Sequence, residues 1–230
     1  ITLLIHRYFE YNKLSTKIIS KLAPTFISSF LSVAPVNPKL RKRIKFFPIM
    51  SPNVVKFLSS EKESQQRTHS KLRILWIGRL DFQKRPDILL EALTMLDKFS
   101  YECRIIGEGP LKKDCEDFSQ LHKLEVNFIS QSDALTELGW ADIFVLLSDF
   151  EGIPFVLQEA MFSKVPILAS YLPGNEFLGA TSFDYVSNAV ELSLEIRKYF
   201  DRTYLSTRKK NISQRWHEIQ PQFNLDWTLK

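Results

Sequence analysis

Short apolar runs alternate with segments of helical periodicity from residue 72 onward. These mainly apolar segments have the length of strands and comprise residues 72–77, 101–106, 126–129, 143–147 and 165–169. Between them, apolar residues recur at helical spacing, which predicts helices over residues 87–96, 111–121, 135–140 and 155–162. Because strands and helices alternate with short connections, the sequence predicts an α/β fold built on a doubly wound parallel sheet.

The first 70 residues do not follow this alternation. Apolar residues near helical spacing predict a helix over residues 1–21, and the apolar run 26–34 has the length of a strand. Residues 59–70 are polar and poor in apolar side chains, as is typical of a linker. Residues 1–47 are too short for a complete domain, since domains seldom have fewer than about 50 residues.

Charge divides the chain near the same position. The formal net charge is +5, but residues 1–71 hold 13 basic and 3 acidic residues, so the remainder carries a net charge of −5. The basic stretch 39–45 could contact acidic lipid, or it could be a solvated connector. Nucleic-acid binding is disfavoured, because the basic residues lack interleaved aromatic residues and the predicted folded part is acidic.

No uncharged run is long enough to span a bilayer. We therefore expect a cytoplasmic protein, with peripheral membrane contact as an alternative.

Cysteine content and motifs argue against metal and cofactor chemistry. Cys103 and Cys115 fit no zinc pattern and are typical of buried thiols in a reducing compartment. The segment 107–110, Gly-Glu-Gly-Pro, differs from the dinucleotide fingerprint and is interpreted as a tight turn entering a helix, which disfavours NAD. Because no acidic cluster suits a metal ion either, we expect neither a metal nor a cofactor.

Two charged loops follow predicted strands at the edge where parallel sheets bind ligands. Gly78 begins the first loop, which carries Arg79 and Lys84 just before the helix that starts near Pro86. Two cations beside a helix N-terminus suit a diphosphate. The alternative is that both are solvated surface charges.

The second loop supplies carboxylates. Glu151 follows the most apolar strand, and Glu159 lies two turns into the helix entered through Pro154. Carboxylates accept hydrogen bonds from vicinal hydroxyl groups, as in a ribose or a hexose. The alternative is a capping carboxylate followed by an exposed helical glutamate.

Five motifs in order carry a resemblance to a known family. They occupy residues 78–84, 106–110, 141–148, 151–159 and 173–176, within about 100 residues and mostly at strand–loop–helix junctions. Together they resemble the C-terminal, donor-binding half of a GT-B glycosyltransferase of the retaining family 4 type, the glycosyl transferases group 1. The resemblance covers about residues 45–230. Ser130 and the run Pro48-Ile49-Met50-Ser51 depart from it, because family members usually carry a glycine in both places.

The resemblance implies a role for each matched residue. Arg79 and Lys84 match the pair that binds the donor diphosphate and stabilises the departing nucleotide, which needs no metal because fixed cations stabilise developing charge. Glu159 matches the residue that accepts the ribose hydroxyls, and Glu151 matches the one near the transferred sugar. Arg79, Lys84 and Glu151 are therefore the expected catalytic residues. The remaining expected donor-binding positions are Gly78, Gly107, Gly109, Ser130, Gly152, Ile153, Pro154 and Phe155.

The same resemblance implies a division of the chain and a function. Residues 1–47 would be part of an N-terminal domain, 48–70 an interdomain linker, 71–212 the Rossmann-like domain that binds the nucleotide sugar, and 213–230 a returning C-terminal helix region. The implied activity is transfer from a nucleotide-diphosphate sugar to a cell-surface glycan or lipid-linked acceptor. We expect transfer to require a complete N-terminal domain, in cis or in trans. The alternatives are a noncatalytic remnant or subunit, and a nucleotide-sugar epimerase of GT-B type.

Overall fold

A computed structural model describes residues 2–5, 25–28, 44–46, 50–58 and 70–223. Its first strands are β1 (Thr2–Ile5), β2 (Thr25–Ser28) and β3 (Ile44–Phe46), which pair in parallel in the order β1-β2-β3. The prediction of a helix over residues 1–21 is therefore wrong for residues 2–5. Thr-Leu-Leu-Ile has two β-branched residues and no polar face, which suits a strand in a parallel sheet. Residues 6–21 and 29–34 lie outside the described residues.

The larger sheet has six parallel strands in the order β6-β5-β4-β7-β8-β9. Its strands are β4 (Leu72–Ile77), β5 (Tyr101–Ile106), β6 (Val126–Ile129), β7 (Ile143–Leu146), β8 (Ile167–Ala169) and β9 (Asp184–Tyr185). The five strands predicted from apolar runs are all present. Chain order reverses direction at the central β4, which confirms the predicted doubly wound sheet.

Helices connect these strands. They are α1 (Pro52–Leu58), α2 (Pro86–Thr94), α3 (Lys112–Leu121), α4 (Ala134–Trp140), α5 (Phe155–Phe162), α6 (Pro173–Gly179), α7 (Ala189–Lys198) and α8 (Arg202–Ile219), with short 3-10 turns at Phe82–Lys84, Ala180–Ser182 and Gln220–Gln222. In this part of the chain, no helix is both long and apolar enough to cross a bilayer.

Two apolar cores lie on opposite faces of the sheet. In β7, Ile143 and Val145 belong to a core with α2 and α7, whereas Phe144 and Leu146 belong to a core with α5 and α8. Successive strand side chains point to opposite faces, so a strand that is apolar at every position is buried on both. Cys103 and Cys115 are buried free thiols, as predicted, and burial raises the pKa of Cys115 to about 11.

Segments at both ends of the six-stranded sheet domain pack in its core. Helix α8 runs continuously through positions 212 and 213, and Ile212, Trp216 and Ile219 are buried in the core beside α5. Of the predicted linker 48–70, residues 50–58 include α1, and Met50 and Val54 are buried in the same core. Apolar side chains on both segments explain why they pack on the sheet domain. Residues 224–230, in the expected returning helix, lie outside the described part.

Candidate active site

The loops after β4 and β5 are joined by main-chain hydrogen bonds at the carboxyl edge of the sheet. The amide of Gly78 donates to the carbonyl of Ile106 at 3.0 Å, and the amide of Leu80 donates to the carbonyl of Glu108 at 2.9 Å. The amide of Leu111 then donates back to the carbonyl of Leu80 at 3.0 Å. These backbone hydrogen bonds join the first charged loop to the loop after β5.

Two glycines make this close approach possible. Gly107 has φ +144°, and a Cβ atom there would lie 1.9 Å from the carbonyl oxygen of Gly78. At Gly109 a Cβ atom would lie 2.2 Å from the carbonyl oxygen of Leu80. A residue with a side chain fits neither position, because these distances are far below van der Waals contact. The hydrogen-bonded turn that enters α3 spans residues 109–112, where the amide of Lys112 donates to the carbonyl of Gly109 at 3.1 Å, and so lies two residues later than the predicted turn at 107–110.

Arg79 and Lys84 leave the first loop in different environments. Asp81 is buried, and its side chain caps the turn Phe82–Lys84 by accepting a hydrogen bond from the amide of Lys84 at 3.1 Å. It also accepts one from Nε of Arg79 at 2.5 Å. The Arg79 side chain is 72% exposed, whereas that of Lys84 is 18% exposed. The Arg79 side chain is therefore largely in solvent, whereas the Lys84 side chain is mostly buried at the carboxyl edge of the sheet.

Lys84 joins the two charged loops that the sequence singled out. Its Nζ forms an ion pair with Oε1 of Glu151, whose side chain is 10% exposed. The same carboxylate oxygen accepts a hydrogen bond from the hydroxyl of Ser148 at 2.9 Å. Ser148 ends the motif at residues 141–148, and the sequence analysis assigned it no role. A lysine and a glutamate with this little exposure form a polar centre between the first loop and the start of α5.

Helix α5 begins at Phe155, directly beside this pair. Its N-cap is Pro154, which has no side-chain acceptor for the first amides of the helix. A Cβ atom on Gly174 would lie 1.5 Å from the carbonyl oxygen of Gly152, so the start of α6 packs against the turn before α5. The positive end of α5 therefore faces the same edge as Lys84, an arrangement that favours an anion.

Glu159 is buried rather than exposed, so the alternative of an exposed helical glutamate is wrong. Its side chain accepts hydrogen bonds from the hydroxyl of Ser51 at 2.5 Å and from Nδ2 of Asn53 at 2.9 Å. The amide of Ser51 also donates to the side chain of the neighbouring Gln158 at 2.8 Å. Sequence reasoning missed Ser51 and Asn53. The Ser-Pro-Asn run, which resembles the start of a helix, was the available signal.

Ser130 lies apart from this centre, after β6. Its hydroxyl contacts Nζ of Lys112 at 2.8 Å, and Lys112 also forms an ion pair with Glu108 at 2.7 Å. Hydrogen bonds from Lys112 and Ser130 lower the pKa of Glu108. Lys112 was not a sequence candidate, although only Leu111 separates it from the segment 107–110. These groups form a polar rim beside the glycine turn.

The start of α2 carries its own ion pairs. Arg85 has φ +44° and donates to the carboxylate of Asp87 in the first turn, at distances of 2.8 to 3.1 Å. Its guanidinium also lies 3.5 Å from Asp149. The hydrogen bond to Asp87 is the largest cause that raises the pKa of Arg85. A carboxylate therefore already lies at the start of α2.

A cleft of about 340 Å³ opens beside Ser148, at the ends of β7, β8 and β9. Arg85, Asp149 and Tyr171 are among the residues that line it. Ser148, which donates a hydrogen bond to Glu151, lines this cleft, whereas Lys84 and Glu151 do not. Among the described residues, no group of three or more His, Cys, Asp or Glu side chains could hold a metal ion.

Comparison with known proteins identifies a matching family and related glycosyltransferases. The family described as glycosyl transferases group 1 matches residues 59–178. The O-antigen biosynthesis glycosyltransferase WbnH of Escherichia coli is 27% identical over 140 residues, which are 58% of this chain and 39% of that protein. The Campylobacter jejuni GalNAc-alpha-(1->4)-GalNAc-alpha-(1->3)-diNAcBac-PP-undecaprenol alpha-1,4-N-acetyl-D-galactosaminyltransferase is 34% identical over 106 residues, 44% of this chain and 30% of that protein. The matched region thus spans well under half of these relatives.

Solved structures support the fold. The structure of Anabaena Alr3699/HepE in complex with UDP and glucose has a TM-score of 0.74, with 15% identity, over 97% of this chain and 68% of that one. At this identity the likeness establishes the fold, a Rossmann-like unit of GT-B type. Because the family match covers more than half of the chain, this chain belongs to the glycosyl transferases group 1 family.

Proposed function

We propose that this chain binds the donor of a glycosyltransferase, a nucleoside-diphosphate sugar, for the synthesis of a cell-surface polysaccharide. The observation that carries the proposal is the Lys84–Glu151 ion pair beside the start of α5. A cation and a helix N-terminus suit a diphosphate, and a carboxylate within the same centre suits sugar hydroxyls. The relatives that match this region are named as glycosyltransferases of O-antigen and polysaccharide biosynthesis, which supports the same activity.

In this proposal the diphosphate competes with Glu151 for the ammonium group of Lys84. Negative charge grows on the departing nucleotide as the bond to the sugar breaks, and Lys84, Arg79 and the start of α5 stabilise it electrostatically. Glu151 is then released toward the transferred sugar, and Glu159 accepts hydrogen bonds from the ribose. Retention at the anomeric carbon is part of the proposal and follows from the family resemblance alone.

Transfer of the sugar also requires a part of the enzyme that positions the acceptor. We infer that a second domain brings a glycan or lipid-linked acceptor over this edge, in cis or in trans, and that closure of the cleft excludes water. The matched relatives are more than twice as long as the region they share with this chain, which leaves room for such a domain. The basic stretch 39–45, proposed for peripheral membrane contact, lies largely outside the described residues.

Calorimetry with UDP, GDP and ADP tests the proposal, in the presence and absence of EDTA. We expect at least one nucleotide to bind, with an affinity that chelation leaves unchanged, since cations of the protein hold the diphosphate. Absence of binding by all three nucleotides would overturn the proposed function. Binding that disappears with EDTA would overturn the metal-free part of it.

A further inference from the structure

The segment before α1 contacts the helix that carries the proposed ribose ligand. Ser51 and Asn53 lie 108 and 106 positions before Glu159 in sequence, yet both side chains reach its carboxylate. The amide of Ser51 fixes the neighbouring Gln158 as well. Ser51 is fully buried, whereas Asn53 is on the exposed side of the segment. A buried donor, Ser51, and an exposed donor, Asn53, therefore bind the same carboxylate of Glu159.

The two oxygens of Glu159 have different environments. Both donors bind Oε1, at 2.5 and 2.9 Å. Within the described part of the chain, Oε2 accepts no hydrogen bond, although Glu159 is only 4% exposed. A carboxylate can accept about four hydrogen bonds, so Glu159 has acceptor capacity beyond the two bonds at Oε1. Oε2 is thus available to a donor from a ligand.

We propose that Ser51 and Asn53 are positioning residues that hold Oε1 of Glu159 and thereby direct Oε2 to the ribose hydroxyls of the bound nucleotide. The inference rests on the proposed function. A carboxylate that is held at one oxygen cannot rotate freely, so it meets a ribose in a single orientation. Loss of a ribose hydroxyl then leaves Oε2 without a donor, and the site discriminates ribonucleotides from deoxyribonucleotides.

A purely structural role makes a different prediction. If Ser51 and Asn53 only fasten the segment 50–58 to α5, their removal lowers stability and affects all ligands alike. If they position Glu159, their removal affects the ribose contact and spares the diphosphate contact at Lys84. The ratio of the dissociation constants for a 2′-deoxynucleotide and its ribonucleotide therefore separates the two roles.

The test measures this ratio for the full 230-residue chain by calorimetry. The ligands are UDP, GDP and ADP with their 2′-deoxy counterparts, and inorganic pyrophosphate reports the diphosphate contact. We expect the unmodified chain to prefer the ribonucleotide about tenfold, the lower end for a hydrogen bond to a charged group. Asn53→Ala and Ser51→Ala should each reduce the preference to about threefold or less, with pyrophosphate affinity unchanged. Asn53→Gln, which retains an amide donor, should restore part of it.

Matched controls come from the same chain. Ser193 is a buried serine on α7 whose hydroxyl donates to the carbonyl of Val190 at 2.8 Å, so Ser193→Ala removes a comparable bond elsewhere. Asn211 is an exposed asparagine on α8 and serves in the same way for Asn53. Neither control should change the ratio. Thermal melting monitors folding, and if Ser51→Ala does not fold, the exposed Asn53 variants decide.

The outcomes separate this inference from the proposed function. If the unmodified chain binds none of the nucleotides, both are overturned. If it binds them without preference for ribose, or if both alanine variants keep the preference, the positioning role alone is overturned. Equal loss for nucleotides and pyrophosphate would also overturn it, because that is the result of a structural role.

Discussion

The two halves of the carboxyl edge are held together by different atoms. After β4 and β5, the loops meet through the backbone of Gly78, Leu80 and Glu108, with glycines at the closest approaches. After β7 and β8, side chains make many of the links: Ser148 binds Glu151, the amide of Ser148 binds the hydroxyl of Ser170, and Nδ2 of Asn175 binds the carbonyl of Ser170.

Because of this difference, we expect substitutions in the two halves to have different effects. A loop fixed by its backbone keeps its path when an outward side chain changes, so the first half sets where Arg79 and Lys84 emerge. A loop fixed by side chains changes both its path and its reactivity when one of them is replaced. The comparison predicts that glycine substitutions in the first half act on stability, whereas substitutions around Glu151 act on ligand binding.

The largest effect is expected for Gly107→Ala. Its φ of +144° and the 1.9 Å approach to Gly78 combine backbone strain with steric overlap, so the free energy of unfolding should fall by about 3 kcal/mol or more. Urea denaturation measures the change. The control is Gly139→Ala, because a Cβ atom there meets nothing within 4 Å and the residue lies in α4. That variant should gain about 0.5–1 kcal/mol. Equal changes for the two variants would contradict the backbone argument.

Lys84→Ala should have the next largest effect, this time on binding. Loss of the ammonium group removes a charge-assisted contact to the diphosphate, so UDP affinity should fall by about 1.5–3 kcal/mol. Calorimetry provides the measurement. Lys113→Ala is the control, since Lys113 also forms an ion pair, with Asp117, but on the exposed face of α3. An unchanged UDP affinity in Lys84→Ala would remove Lys84 from the proposed site.

The two glutamates should separate the sugar from the nucleotide. Glu151→Ala should weaken UDP-sugars more than UDP by about 1–2 kcal/mol, because Glu151 is proposed to contact the transferred sugar. Glu159→Ala should weaken both ligands alike, because both contain the ribose. Competition binding with UDP, UDP-glucose and UDP-N-acetylglucosamine measures the difference. The same pattern of losses in both variants would show that the assigned roles are wrong.

The smallest effect is expected for the stability of Arg79→Ala. The Arg79 side chain is 72% exposed, so loss of its ion pair with Asp81 should change the free energy of unfolding by less than about 0.5 kcal/mol. Asp81→Ala should cost more, about 1 kcal/mol, because the buried Asp81 also caps the turn Phe82–Lys84. Urea denaturation of the two variants tests the order. A larger loss of unfolding free energy for Arg79→Ala than for Asp81→Ala would mean that the exposed Arg79 side chain stabilises the loop.

The sequence predicted the central sheet because most of its strands are mainly apolar, β7 and β8 at every position, and several of its helices are apolar on one side. It failed at residues 2–5, where four residues are too few to distinguish a strand from the start of a helix. It also carried no pattern for β9, which has only two residues. The spacing of apolar residues indicates which side of a helix or strand is buried, but it distinguishes a helix from a strand only when the segment has several residues.

Within the candidate site, motif spacing identified Lys84 and Glu151 but could not show that they touch. The contacts of Ser51 and Asn53 with Glu159 were not predictable, because they join positions more than 100 residues apart. Such pairs depend on how α5 and the segment before α1 pack. That packing comes from apolar residues such as Met50 and Val54, which no catalytic motif includes.

The separation of Ser51 from Glu159 also has a consequence for synthesis on the ribosome. At about 5–20 residues per second, Ser51 is made roughly 5–20 s before Glu159 exists to receive its hydrogen bond. During this interval Met50 and Val54, which are buried in the finished fold, have no α5 to cover them. We expect slower translation between β4 and α5 to prolong the exposure of these two apolar side chains to water.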